Sequence, residues 1–233
     1  MLQRERVTAL KQLPILAGLT DAAIERFAES CLWREYAAGE QIVGYQEAST
    51  DVYFLLTGKA RAIVYSSEGK AVVFTDLRPG AMFGEIAAID RKPRSASIEA
   101  LDPCSIASLS AGQFESFMLN MPGVAVATLR HVAADVRRLS ERVFEFSTLA
   151  VQNRIHAELL RLAGETGQRG SEVVLSPAPS LSDIADRIST HREAVSRELS
   201  RLATVGLLHR EGGNLTITNL EKLAELVHEA KGE

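Results

Sequence analysis

Cysteine is nearly absent: Cys31 and Cys104 are the only two in 233 residues. They stand too far apart for a disulfide framework, a CxxC-type zinc site or a four-cysteine iron–sulfur cluster. No run approaches the ~18–20 apolar residues of a membrane span, and the start, MLQRERVTALKQLPIL, has no long apolar core of the signal-peptide kind. The expectation is a reduced, cytoplasmic protein with no membrane partner. A basic excess is missing too, since 26 Lys and Arg face 30 Asp and Glu for a formal net charge of −4. Contact with nucleic acid must then come from a local patch rather than from a global field. None of the five histidines (His131, His156, His191, His209 and His228) falls in the stretch that reads as β-structure. That argues against a metal-dependent enzyme built on a small β-barrel. No catalytic residue, metal or cofactor is expected, and there are no repeats or low-complexity segments.

What is present is globular: 46% of residues are hydrophobic and 24% charged, enough for two compact domains. Thr20 can cap a helix in which Ile24, Phe27 and Ala28 form one apolar stripe. From Tyr36 to about Leu109 come short runs rich in β-branched and aromatic residues, DVYFLLTG, KARAIVYS, KAVVFTD and ASIEAL, separated by turn signals. They predict an antiparallel barrel or sandwich. The chain divides into a β-rich domain over 1–120, a long helix and hinge over 121–148, and a third segment over 149–233.

The long helix carries the clearest periodicity. Leu129, Val132, Val136, Leu139, Val143, Phe146 and Ala150 follow alternating spacings of 3 and 4, a heptad seam, while Arg130, Arg137, Arg138, Glu141 and Arg142 lie off it. So narrow a stripe predicts packing against a second copy of the chain.

FGEIAAIDRKPRSASIEA, from Phe83 to Ala100, holds the first functional constellation. Gly84 allows close backbone approach, and the turn of helix after Glu85 offers free N–H groups to an anion. Arg94 supplies a forked, permanent positive charge for a phosphate. Ser95 adds a hydroxyl, Ala96 keeps the floor small, and Glu85 suits a sugar hydroxyl donor.

The second constellation is PSLSDIADRISTHREAVSRELSRLATVGLLHREGGNLTIT. Ser180 and Asp183 can cap one helix, buried through Leu181, Ile184, Ala185 and Ile188. Thr190 and Glu193 fit a capping box for the next, buried through Val195, Leu199 and Leu202. A Gly-Gly hairpin follows, completing a winged helix-turn-helix. Arginines at a helix start suit guanine O6 and N7, and a carboxylate suits cytosine N4. A last helix begins near Thr218, packed by Leu220, Leu223 and Val227.

The first constellation resembles the phosphate-binding cassette of cyclic-nucleotide-binding domains. Its order with the seam helix and the winged helix-turn-helix resembles the cAMP receptor protein (CRP/FNR) family of bacterial regulators. The fold class implied is α+β: an N-terminal antiparallel β-barrel or jelly roll, a dimerisation helix and a C-terminal winged helix-turn-helix.

The resemblance implies that Glu85 takes the ribose 2′-hydroxyl. Arg94 and Ser95 take the cyclic phosphate, with Gly84, Ile86, Ala87 and Ala96 in the pocket. His191, Arg192, Glu193, Ser196 and Arg197 face DNA. Leu129, Val132, Val136, Leu139, Val143 and Phe146 form a homodimer seam. A palindromic, TGTGA-like operator follows, with RNA polymerase as a further partner.

Leu139 and Ser140 fall where the family has Thr-Ser reading the base. Leu139 cannot hydrogen-bond, and Ser95 could serve guanine. The expectation is cAMP, with cGMP weakly excluded. The rival is a regulator of the same fold with a redox, haem or absent effector. Gln46 and Ser189 stand where the family favours turn glycines, so both turns are expected to be affected.

Overall fold

The computed structural model describes residues 3–232 and divides into two compact units, the first of residues up to 65 and 73–136, the second of residues 66–72 and those from 137 on. The first unit opens with α1 (Gln3–Leu10), a 3₁₀ turn at Pro14–Leu16 and α2 (Asp21–Ser30). The Thr20 hydroxyl accepts from the Ala23 N–H at 3.3 Å, which satisfies one of the orphan donors at the start of α2. Ile24, Phe27 and Ala28 are buried.

The strands follow: β1 (Leu32–Tyr36), β2 (Gln41–Val43), β3 (Val52–Thr57), β4 (Ala60–Tyr65), β5 (Ala71–Leu77), β6 (Met82–Phe83), β7 (Ser97–Ala100) and β8 (Cys104–Leu109). Helix α3 (Glu85–Asp90) lies between β6 and β7, and α4 (Ala111–Asn120) follows β8. Two four-stranded sheets result, ordered β1-β8-β3-β6 and β2-β7-β4-β5. The β-domain is therefore a jelly-roll-like sandwich with separate edges, not the closed barrel that was one of the two expectations. Consecutive buried residues on β3 and β8 show why: both faces of these central strands are covered. On one side lie Phe27, Phe54 and Phe114 beneath α2 and α4, with the Phe27 and Phe54 ring centroids 5.3 Å apart. Between the sheets lie Leu55, Ile98 and Ile106.

Helix α5 (Pro122–Thr148) runs unbroken through the division of the chain. Its apolar stripe is open to solvent in the single chain: Leu129 is 69%, Val136 58% and Val143 65% exposed. Ala150 does not extend the stripe as the heptad count had it. It is extended and precedes the next helix as its N-cap.

The second unit contains α6 (Val151–Glu165), β9 (Val173–Leu175), α7 (Leu181–Arg187), α8 (Arg192–Thr204), β10 (Leu208–Glu211), β11 (Asn214–Ile217) and α9 (Leu220–Lys231). Its core joins Ile155, Leu159, Ile184, Val195, Leu202 and Leu223. The Gly212–Gly213 turn, with φ of 57° and 82°, closes the hairpin as a two-residue I′-type connection requires. Strand β9, which lacks a strong pattern of its own, pairs with β11 to complete a three-stranded wing sheet.

A buried ionic network, invisible to the periodicity argument, fastens the last turns of α5 to this unit. Arg142 donates to Glu158 Oε2 at 2.7 Å and to the Arg187 carbonyl. Arg161 bridges Glu158 and Glu145, and Lys231 reaches Glu141 at 2.9 Å. Glu158 is fully buried. Removing one member of such a network leaves an uncompensated buried charge, which costs about 3–5 kcal/mol.

Both cysteines are buried. Burial pushes the Cys31 thiol up to about 12 and raises that of Cys104 as well. Since the thiolate is the reactive form, neither should react with iodoacetamide in native protein at pH 8. Both should label on unfolding, as mass spectrometry of the alkylated chain would register.

Candidate ligand pocket and nucleic-acid interface

Strand β6 ends at Gly84, which turns into α3 with φ of 81°. The glycine is required on two grounds. Its backbone is left-handed, and a Cβ there would lie 2.6 Å from Arg94 Nη1 and 2.8 Å from the Asp51 carbonyl. Arg94 is only 2% exposed. Its Nε donates to Ser49 Oγ at 3.0 Å, Nη1 to the Gly84 carbonyl at 2.9 Å and Nη2 to the Asp51 carbonyl at 2.9 Å. The guanidinium also lies 5.5 Å from the Tyr53 ring centroid, and Tyr53 stacks on Phe83 at 5.1 Å. Three of the five guanidinium donors thus hold the head in place.

The loop before β3 is tied to the same residue through its main chain. Arg94 N donates to the Glu47 carbonyl at 2.9 Å, and Gln46 N donates to the Arg94 carbonyl at 3.0 Å. Gln46 adopts φ of 63°, the left-handed conformation that a glycine takes freely and a longer side chain takes at about 1–2 kcal/mol. The departure at Gln46 therefore keeps the turn and adds strain. Ser97 Oγ accepts from Tyr45 N at 2.9 Å, bracing the loop from β7. Ser49, Asp51, Tyr53 and Ser97 were not among the residues expected at the site. Only the DVYF run hinted at them, because they act through carbonyls, a ring and short side chains.

Glu85 is 4% exposed. Burial pushes its carboxyl pKa up, countered in part by its own main-chain N–H and by His131, and reinforced by Asp135. His131 and Asp135 were also missed. They sit one helical turn apart on α5, with His131 Nε2 3.8 Å from Glu85 Oε1 and 3.9 Å from Asp135 Oδ2. Ala87 is buried, Ala96 half-buried, and Ser95 and the side chain of Ile86 are exposed. Leu139 and Ser140 lie on α5 past the division between the units and are exposed. The arrangement offers one buried carboxylate to accept from a hydroxyl and one fixed guanidinium to donate to an anion.

In the second unit the Ser180 hydroxyl caps α7, accepting from Asp183 N at 3.0 Å. Ser189 takes φ of 51° in the turn that follows, so the position that favours glycine is again filled by a strained residue. The capping box expected from Thr190 and Glu193 does not form. Thr190 belongs to the turn, its N–H given to the Ala185 carbonyl, and α8 starts from His191 without a side-chain cap. Val195, Leu199 and Leu202 face the core, and His191, Arg192, Glu193, Ser196 and Arg197 face solvent. Arg201 is not available on that face. It is held by Glu198, which bonds His156 at 2.6 Å and so anchors α8 to α6.

Residues 33–121 match the model of the Cyclic nucleotide-binding domain, and residues 153–226 match that of the Crp-like helix-turn-helix domain. With the pocket and exposed helix above, they define a ligand-sensing, DNA-binding transcriptional regulator. The chain is 24% identical over 216 residues to the CRP-like cAMP-activated global transcriptional regulator of Mycobacterium tuberculosis, covering 92% of this chain and 96% of the relative. It is 26% identical over 202 residues to the cAMP-activated global transcriptional regulator CRP of Pasteurella multocida, covering 84% and 95%. Among solved structures, the c-di-GMP responsive regulator CLP of Xanthomonas campestris superposes with a TM-score of 0.74 at 19% identity, over 85% of this chain and 99% of that one. The chain thus carries a Cyclic nucleotide-binding domain followed by a Crp-like helix-turn-helix domain, and along nearly its whole length it is similar to CRP-type transcriptional regulators.

Gly84→Ala should destabilise the first unit by about 1–3 kcal/mol, the order of a strained left-handed residue, and displace Arg94. Chemical denaturation followed by circular dichroism measures the first effect. A midpoint equal to that of the unsubstituted protein would show that the close approach of Gly84 to Arg94 is not needed.

Proposed function

We propose that this regulator is switched by a cyclic nucleotide, cAMP in preference to cGMP, and binds a palindromic, TGTGA-like operator as a homodimer. The observation that carries the reading is the intact pair of Glu85 and Arg94, both buried and one already clamped in place. Glu85 accepts from the ribose 2′-hydroxyl. Arg94 and Ser95 hold the cyclic phosphate, with Gly84, Ile86 and Ala87 contributing main chain and Ala96 leaving room. The relatives named for activation by cAMP support the choice of nucleotide.

The stripe of Leu129, Val136, Leu139, Val143 and Phe146, open to solvent, with the half-buried Val132 on the same line, supports pairing of two α5 helices. In that pairing Ser140 enters the pocket of the partner subunit, and Leu139 leaves the base without one hydrogen bond. Arg192, Glu193 and Arg197, flanked by His191 and Ser196, read base edges in successive major grooves. RNA polymerase is the further partner this function requires.

The step that couples the two events lies at the end of α5. The helix stops at Thr148, Leu149 is buried, and α6 begins one residue past Ala150. Nucleotide bound beside α5 extends or re-registers this junction, so that both α8 helices meet the groove together. The effect is limited to the difference in nucleotide affinity between the two states. A second reading keeps the fold and changes the effector. Leu139 in place of a base reader and Asp135 beside Glu85 favour it, and CLP is titled as responsive to a different nucleotide.

Two variants test the proposal in one set of titrations. Arg94→Leu should abolish calorimetric heat with cAMP and cGMP while the chain stays folded. Arg192→Ala should keep nucleotide binding and lose about 1–3 kcal/mol of discrimination at the guanine it contacts, read by binding to operator variants. An Arg192→Ala protein with unchanged sequence preference would refute the assignment of base readers. Undiminished nucleotide binding by Arg94→Leu would refute that of the pocket.

A further inference from the structure

His131 and Asp135 occupy i and i+4 on α5, one face of one helix, and that face meets the buried carboxylate of Glu85. One oxygen from each carboxylate and one ring nitrogen lie within 4.8 Å of one another. At 3.8 and 3.9 Å the imidazole is outside hydrogen-bonding range of both carboxylates. Arg94, the cation that also acts on Glu85, has its guanidinium donors on Ser49, Gly84 and Asp51 instead. Two carboxylates, one of them buried, are thus held beside one imidazole.

We propose that Glu85, His131 and Asp135 form a binding site for a divalent first-row cation of the zinc type. Bonds of about 2.0–2.2 Å to each donor bring ligand atoms to roughly 3.4 Å of one another in a tetrahedral shell. The observed separations, 3.8 and 3.9 Å from the imidazole and all within 4.8 Å, lie a little above that value. One imidazole with two carboxylates favours zinc or cobalt over magnesium and calcium, which prefer all-oxygen shells. Three protein ligands leave at least one position for water. An approach for a hydrated ion is present as well. His131 and Arg130 line a cavity of about 350 Å³ together with Pro14, Ile15, Gly80 and Met82.

The site is independent of the nucleotide reading in its geometry, but it shares Glu85 with it. If that reading holds, a bound cation withdraws the carboxylate from the ribose, and metal and nucleotide compete. Metal occupancy would then set the nucleotide level at which the regulator responds. The histidine count in the sequence had pointed away from any metal. It placed His131 on the long helix, without the information that this turn of α5 lies against Glu85.

The test is titration of tag-free, metal-stripped full-length protein with zinc chloride by calorimetry, with cobalt(II) absorption as the report on coordination. One zinc per chain should bind. His131→Ala and Asp135→Asn should each weaken it at least tenfold and bleach the cobalt bands, while His209→Ala, an exposed histidine elsewhere, should not. Magnesium should give no comparable binding. Zinc affinity equal in all three variants would overturn the site, and so would zinc and cAMP binding simultaneously without mutual effect. If no form of the protein binds cAMP or cGMP, the nucleotide reading fails, while loss of zinc in His131→Ala and Asp135→Asn would still establish the site.

Discussion

Burying a guanidinium is the constraint around which the sensory unit is built. Arg94 can be almost wholly withdrawn from water only because a serine hydroxyl and two main-chain carbonyls accept its hydrogen bonds and an aromatic ring covers one side. Each requirement propagates. The Gly84 carbonyl can approach only if that residue has no side chain. The Asp51 carbonyl and Ser49 hydroxyl fix the loop before β3, and that loop closes only with Gln46 in a left-handed conformation. A group held so completely before any ligand arrives needs little reordering on binding, which is what preorganisation contributes to affinity.

The DNA-reading unit follows a different economy of charge. Glu158, Arg142, Arg187 and Glu145 are buried together, and their network links the end of α5 to α6 and α7. Replacing such a network by apolar side chains is often neutral or stabilising. Its value here is geometric, because directional bonds hold the last turns of α5 to α6 and α7. The pair of His156 and Glu198, extended by Arg201, does the same for α8 against α6. The exposed arginines Arg192 and Arg197 are thereby presented on a helix whose back is locked.

Much of this was legible in the sequence, and the exceptions share a cause. Alternating and heptad patterns, turn glycines and Ser or Thr caps report on local structure, so the strands, α2, α5, α7 and the wing hairpin were visible. The Gly84, Glu85 and Arg94 cassette was visible because its chemistry is carried by side chains at short spacing. Ser49 and the Asp51 carbonyl were not, because a main-chain acceptor leaves no mark on residue type. His131 and Asp135 were hidden by distance in sequence: nothing in their own neighbourhood says that α5 packs over Glu85. The Thr190 and Glu193 pattern failed for a complementary reason. A capping box needs its first residue at the helix boundary, and the left-handed Ser189 turn moves that boundary to His191. The closed barrel failed because alternation sets which residues face inward but not whether the last strand meets the first.

The central claim is that occupancy of the Glu85 and Arg94 pocket changes affinity for DNA. Its most direct test is operator binding by the full-length protein, followed by fluorescence anisotropy on a selected site, with and without saturating cAMP, together with the reciprocal titration of cAMP in the presence and absence of operator. Linkage requires that both experiments yield the same factor, of about 5–150 for a coupling of ordinary size. An operator affinity identical in the two conditions, from protein that binds the nucleotide, would contradict the account.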